Sequence, residues 1–235
     1  MLENSYYLLS ALMLCIVLGI YIKQVIVNIS DTKARLKKII FAVIPFALWL
    51  VYLSLIQGSS IIQDLNLPPK FPILILLPLA ILFVLFYFFN RKNNVLLSIP
   101  KHYTIAIQSF RILVEYILLY TFYKGIIPAT ATFEGLNFDI LIALSAPFIA
   151  FLVYKNLNKY RDIARYWNIF GIFMILFVAF IIGTSIYIPS LWNADAPLVS
   201  MQFLSFPYFL IAGFLAPLGI FLHVVSLLQL RKAND

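Results

Sequence analysis

Cysteine occurs once in this chain, at Cys15, and histidine twice, at His102 and His223. One thiol rules out an internal disulfide. Two histidines with no HxxH or HExxH spacing leave no basis for a histidine-rich zinc or di-iron centre. Walker A, GxGxxG and GxSxG patterns are also missing, so no ATPase, dinucleotide or serine-hydrolase motif is present. The expectation is no metal and no cofactor. Charge is scarce as well. Charged residues make up 11% of the chain, against about 25% in soluble domains.

What is present is apolar. Of the 235 residues, 63% are hydrophobic, and the mean hydropathy is +1.00. A soluble globule of this size would have too little water-facing surface. The composition specifies an all-α polytopic membrane protein. A spanning helix needs about 20 apolar residues, and seven stretches qualify: 5–28, 39–57, 71–90, 102–124, 138–155, 167–188 and 206–230. The connectors are short, so residues 1–235 form one seven-helix transmembrane domain. The start, "MLENSYYLLSALML", has no basic n-region of a signal peptide, and the first segment is read as a retained helix.

The few charges are not scattered. Lys33, Arg35, Lys37 and Lys38 lie in the first connector, and Arg91, Lys92 and Lys101 in the third. Lys155, Lys159, Arg161 and Arg165 lie in the fifth, and Arg231 and Lys232 in the tail. These thirteen of the seventeen basic residues fall on alternate connectors. Because basic residues mark the cytoplasmic side, the N-terminus is expected outside and the C-terminus in the cytoplasm, in an inner or plasma membrane. The net charge of +8 is then a topological signal with some attraction to anionic lipid. The bilayer is the expected partner and nucleic acid is not. Tyr6, Tyr7, Tyr103, Tyr154, Tyr166, Trp167 and Trp192 sit near span ends, as interfacial aromatic belts do.

One stretch breaks the apolar pattern. "FRILVEYILL", residues 110–119, carries Arg111 and Glu115 inside the fourth span. If that segment failed to cross, the later basic connectors would change sides and reverse the charge rule. With Lys101, Thr104 and Gln108, these residues follow spacings of three and four, which place them on one helix face. At 1.5 Å per residue, Arg111 lies about 12 Å and Glu115 about 18 Å beyond Tyr103. A buried Arg costs about 2.5–3.5 kcal/mol on insertion scales, so the stripe should face the bundle interior. It is either a mutual Arg111–Glu115 pair that holds helices together or a ligand or proton site. His223, on the seventh span, falls near the level of Gln108 and could pair with Glu115. In the connector "GIIPATATFEGLNFDILIALSAP", Asn137 can cap the fifth helix with Asp139 near its positive end. Glu134 and Asp139 would form an acidic mouth above the stripe. The expected column is Glu134, Asp139, Glu115, Arg111, Gln108 and His223. Asn168, Gly171, Gln24 and Asn28 are assigned to packing and solvation.

Comparison with familiar seven-helix families narrows the field. The seventh span has no lysine to carry retinal, unlike a microbial rhodopsin, and DRY and NPxxY-type receptor motifs are missing. Size and orientation are similar to those of the SWEET sugar transporters, two three-helix repeats joined by a fourth helix. The third span lacks polar pocket residues, however, and the stripe lies on what would be the linker. These residues lead to an intramembrane polar site that binds, transports or senses a small or lipid-like solute, with Glu115 and His223 titrating if a proton is coupled. The rivals are an intramembrane enzyme acting on a lipid and a structural subunit whose charges specify helix packing.

Overall fold

The structure, a computed structural model, describes residues 2–57, 59–91 and 94–231, with the Arg91 side chain left undescribed. Lys92 and Lys232, two of the basic residues used for orientation, lie outside that set. The described residues form helices and connectors with no strand among them. In chain order they are α1 (Leu2–Asn28), α2 (Thr32–Ile56), α3 (Ser60–Gln63), α4 (Lys70–Arg91), α5 (Lys101–Ala106), α6 (Arg111–Tyr123), α7 (Asp139–Lys155), α8 (Leu157–Tyr187) and α9 (Ala216–Arg231). A 3₁₀ turn, Ile107–Phe110, joins α5 to α6 into one rod, and a π turn, Ile211–Leu215, leads into α9.

Among the described residues, six helices are long and apolar enough to cross a membrane: α1, α2, α4, the α5–α6 rod, α8 and the segment Ile211–Arg231. The remaining expected span, the fifth (138–155), is α7, whose 17 residues extend about 26 Å. The distribution of polarity is inverted relative to a soluble protein. Gln108, Asn168 and His223 are completely enclosed, while Leu55 and Leu8 are 75% and 72% exposed. In water such a surface would be a liability; against lipid it is the favourable one. The chain is a multi-pass membrane protein.

Several boundaries differ from the hydropathy reading, for one physical reason. Helix α2 begins at Thr32 rather than 39, because Asp31 caps it by accepting from the Ala34 N–H at 2.9 Å. Helix α8 begins at Leu157 rather than 167, capped by Asn156 accepting from the Lys159 N–H at 3.1 Å. Lys, Arg and Ala are good helix formers, so the helices continue as polar turns beyond their apolar cores. At the other extreme, the seventh segment starts near Ile211 rather than 206, after Pro207. Two of the expected belt aromatics are also inside the bundle. The Tyr6 hydroxyl meets Thr121 Oγ1 at 2.5 Å, and Trp167 Nε1 donates to Ser145 Oγ at 2.8 Å.

Two of the prolines within helices are accommodated by named partners. Proline has no N–H for the carbonyl four residues back. Pro78 in α4 therefore leaves the Leu74 carbonyl short of a donor, and Tyr52 of α2 donates its hydroxyl there at 2.9 Å. Pro217 in α9 does the same to Gly213, whose oxygen accepts from Trp49 Nε1 at 2.8 Å. Two neighbouring aromatics of α2 thus satisfy freed carbonyls on two other helices, which is how a bundle tolerates such breaks in lipid.

Candidate functional site: a polar network around Arg111

The α5–α6 rod presents Thr104, Gln108, Arg111 and Glu115 to the interior, none more than 3% exposed. The 3₁₀ turn at Ile107–Phe110 tightens the rod where the stripe passes through it. From the Lys101 end, Thr104 Oγ1 donates to Gln229 Oε1 on α9 at 3.0 Å. Gln229 Nε2 in turn donates to the Ile99 carbonyl at 2.8 Å and the Leu96 carbonyl at 3.1 Å. One turn on, Gln108 Nε2 donates to the Gly219 carbonyl of α9 at 2.9 Å.

Arg111 is the hub. Its Nε donates to Asp139 Oδ2 at 2.7 Å, and its Nη2 completes a two-pronged ion pair with Oδ1 of the same carboxylate. Its Nη1 meets His223 Nε2 at 2.8 Å. A guanidinium nitrogen can only donate, so Nε2 must accept and the ring proton must sit on Nδ1. That proton is directed at Asn168 Oδ1, 2.9 Å away. Asn168 Nδ2 then donates to Ser226 Oγ at 3.1 Å and to the Ala164 carbonyl at 2.7 Å. Four helices are therefore tied into one buried chain of hydrogen bonds: α6, α7, α8 and α9.

This arrangement corrects two expectations. Arg111 and Glu115, although four residues apart, do not pair; the bidentate carboxylate of Asp139 takes the guanidinium instead, the stronger geometry for Arg. His223 does not pair with Glu115 either. It is held as a neutral ring between Arg111 and Asn168, and it cannot accept a proton at Nε2 without giving up Arg111.

Glu115 has a different partner. Its Oε2 accepts from Asn137 Nδ2 at 2.7 Å, and among the described residues it forms no ion pair. Asn137 does not hold the N-cap position of α7, which is Phe138 with no side-chain cap bond. From one residue earlier its Oδ1 caps the first N–H of the helix, accepting from Asp139 at 3.0 Å, and its Nδ2 also donates to the Ala131 carbonyl at 3.1 Å. Glu134 does not join the column. It is exposed and accepts from the Tyr123 hydroxyl at 2.9 Å, so no acidic mouth forms with the buried Asp139.

Comparisons with models of known protein families, with curated proteins and with solved structures find no match. The site must be read from its own geometry.

Asn168 and Gly171, assigned to packing from sequence, belong to the network. A Cβ on Gly171 would lie 2.3 Å from the His223 ring, so glycine is what lets the imidazole come this close to α8. The signal was in the spacing: Ala164, Asn168 and Gly171 recur at four and three and mark a narrow, small-residue face.

Beside the network lies a cavity of about 150 Å³. Its polar lining is Arg111, Glu115 and Asp139, and its walls are apolar side chains of α4, α6, α8 and the α9 segment, including Phe71, Ile75, Val114 and Ile182. Arg111 is already committed to Asp139 and His223. Glu115, which also lines the cavity, uses Oε2 for Asn137, which leaves Oε1 as its remaining acceptor. Two lining residues, Leu76 of α4 and Leu176 of α8, are also 42% and 52% exposed on the outside of the bundle. The cavity thus borders the lipid-facing surface between α4 and α8.

Proposed function

We propose that this chain binds a small or lipid-like solute inside the membrane and moves or senses it, with Glu115 receiving the solute's polar end. The observation that carries the reading is the cavity itself, apolar on its walls, bounded by lipid-facing Leu76 and Leu176, with the Glu115 carboxyl at its floor. The walls select an apolar body. The floor favours a hydrogen-bond donor, a hydroxyl or amine, since the cation that would hold an anionic group is occupied by Asp139. Glu115 is also the group through which a proton would be coupled, because His223 is held between Arg111 and Asn168.

The test is binding of a long-chain amine or alcohol against the matching carboxylate to protein in detergent or liposomes. Amine and alcohol should bind, and Glu115→Gln should weaken the amine about tenfold or more, the scale of one charge-assisted hydrogen bond, with the melting temperature unchanged. Leu176→Trp should block entry. If neither substitution alters binding, the cavity is not the site. Turnover of an extracted lipid, lost in Glu115→Gln, would favour the enzyme. No binding by any probe would leave the network as helix packing.

The same proposal includes seven crossings, an outside N-terminus, a cytoplasmic C-terminus and an inner or plasma membrane location. A 17-residue α7 is at the short end of what spans a bilayer, and the basic residues at the end of α7 and in the first turns of α8 support its crossing. In a Cys15→Ser background, Glu134→Cys should react with an impermeant thiol reagent in intact cells, and Lys159→Cys only after permeabilisation. The opposite pattern reverses the orientation, and labelling of both in intact cells removes one crossing.

A further inference from the structure

A second, larger cavity lies away from the Arg111 network. It measures about 280 Å³ and is enclosed by α1, α2, α4, α5 and α9. Its walls are almost wholly apolar and strongly aromatic, with Phe46, Trp49, Phe83, Phe86, Phe214 and Phe221 among them. An apolar void of this size stays dry, and left empty it forfeits dispersion contacts along its whole lining. It therefore suits hydrocarbon.

Two proline-bearing helices, α2 and α4, supply one wall of it. Near one end α2 and α4 are joined by the Tyr52–Leu74 hydrogen bond. Near the other, Phe41 and Phe89 stack with centroids 3.6 Å apart. Pro45 lies between these joints on α2 and Pro78 on α4, and Pro45 and Leu79 line the cavity. Leu85, another lining residue, is 54% exposed on the lipid side.

Charge decides what kind of hydrocarbon. One turn beyond the lining residues Phe41 and Ala42 sits Lys38, 8% exposed. Its ammonium has neutral partners: it donates to the Phe89 carbonyl and lies 3.9 Å from the centre of the Phe89 ring. Tyr21, which lines the cavity, donates to Asn90 Oδ1 at 2.7 Å beside it. Lys33, Arg35 and Lys37 precede Lys38 in an α2 that contains no acidic residue. The nearby Asp31 carboxylate accepts from the Lys33 and Ala34 N–H groups. A buried cation with no carboxylate partner among the described residues, one turn from a dry aromatic cavity, is complementary to an amphiphile with an anionic head and an alkyl chain.

We propose that this cavity is a binding site for an anionic phospholipid of the surrounding bilayer, with one acyl chain between α2 and α4 and the phosphate at Lys38. The site is separate from Glu115 and does not depend on the solute proposed there. Native mass spectrometry of the purified protein, titrated with phosphatidylglycerol and with phosphatidylcholine of identical chains, tests it. Phosphatidylglycerol should be retained about fivefold more tightly, the scale of one lysine at a membrane surface. Lys38→Gln should abolish that preference, Lys37→Gln on the exposed side should keep it, and Ala42→Leu, which fills the cavity, should lower retention of both lipids. Glycerol phosphate, a head group without chains, should fail to displace the lipid. Equal retention of the two lipids by the unchanged protein overturns the proposal, and that measurement needs no variant to fold. So does a preference that survives Lys38→Gln, or displacement by glycerol phosphate at equal concentration.

Discussion

Arg111→Ala is expected to destabilise the protein by about 3–5 kcal/mol, and Asp139→Ala by a similar amount, because each leaves the other charge buried without its partner. The paired replacement Arg111→Met/Asp139→Leu should recover most of that loss, since a well-packed apolar pair replaces two desolvated charges. Recovery should stop short of complete, because the His223 Nε2 acceptor loses its donor when Arg111 goes, and adding His223→Leu would only move the deficit to the buried Asn168 Oδ1. The control is the pairing that sequence spacing favours. Arg111→Met/Glu115→Leu still leaves the Asp139 carboxylate without a cation and should recover little. Thermal or denaturant unfolding in detergent gives all the values, and the double-mutant cycle isolates the pairwise part. A larger coupling for 111 with 115 than for 111 with 139 would mean that Arg111 pairs along its own helix.

The contrast between those two cycles separates what local periodicity encodes from what helix docking decides. Local periodicity was enough for much of the fold. The spacing of Thr104, Gln108, Arg111 and Glu115 placed them on one face, and all four are buried. It was enough for the approximate apolar cores of the helices too, though not for the polar first turns of α2 and α8, which hydropathy cannot register. Partner choice was not legible. Whether Arg111 meets Glu115 or Asp139 depends on how α7 docks against α6, a long-range property with no local signature. The same holds for His223, whose partner Asn168 lies 55 residues away. Tyr52 and Trp49 looked like ordinary aromatic residues of a span, and their role at Pro78 and Pro217 is visible only once the helices are side by side. Glu134 and Asp139 looked alike in sequence, as two acids in one connector. Burial separates them: Asp139 begins α7 and turns inward, whereas Glu134 remains on the surface with Tyr123.

Asn137 is expected to be the most sensitive uncharged residue of the network. Its side chain makes three bonds at once: to Glu115 Oε2, to the Ala131 carbonyl and from the Asp139 N–H. Asn137→Ala removes the hydrogen bond to a carboxyl group, worth about 1.5–3 kcal/mol if that group is ionised, and a helix cap of about 1 kcal/mol. A loss of about 2–4 kcal/mol in unfolding free energy should follow. The connector before α7 should also become more open to proteolysis, since Asn137 ties it to the bundle. If the loss arises from the stranded Glu115 carboxyl, Asn137→Ala/Glu115→Leu should be more stable than Asn137→Ala alone. If the cap is the larger part, adding Glu115→Leu should change nothing, while Asn137→Ser or Asn137→Asp, which retain a side-chain acceptor for the Asp139 N–H, should differ. Serine would then restore stability, and aspartate, facing Glu115 without an amide donor, would restore less. The order serine above aspartate above alanine identifies a cap-led role, whereas recovery through Glu115→Leu identifies Asn137 as the residue that holds the Glu115 carboxyl in place beside the cavity.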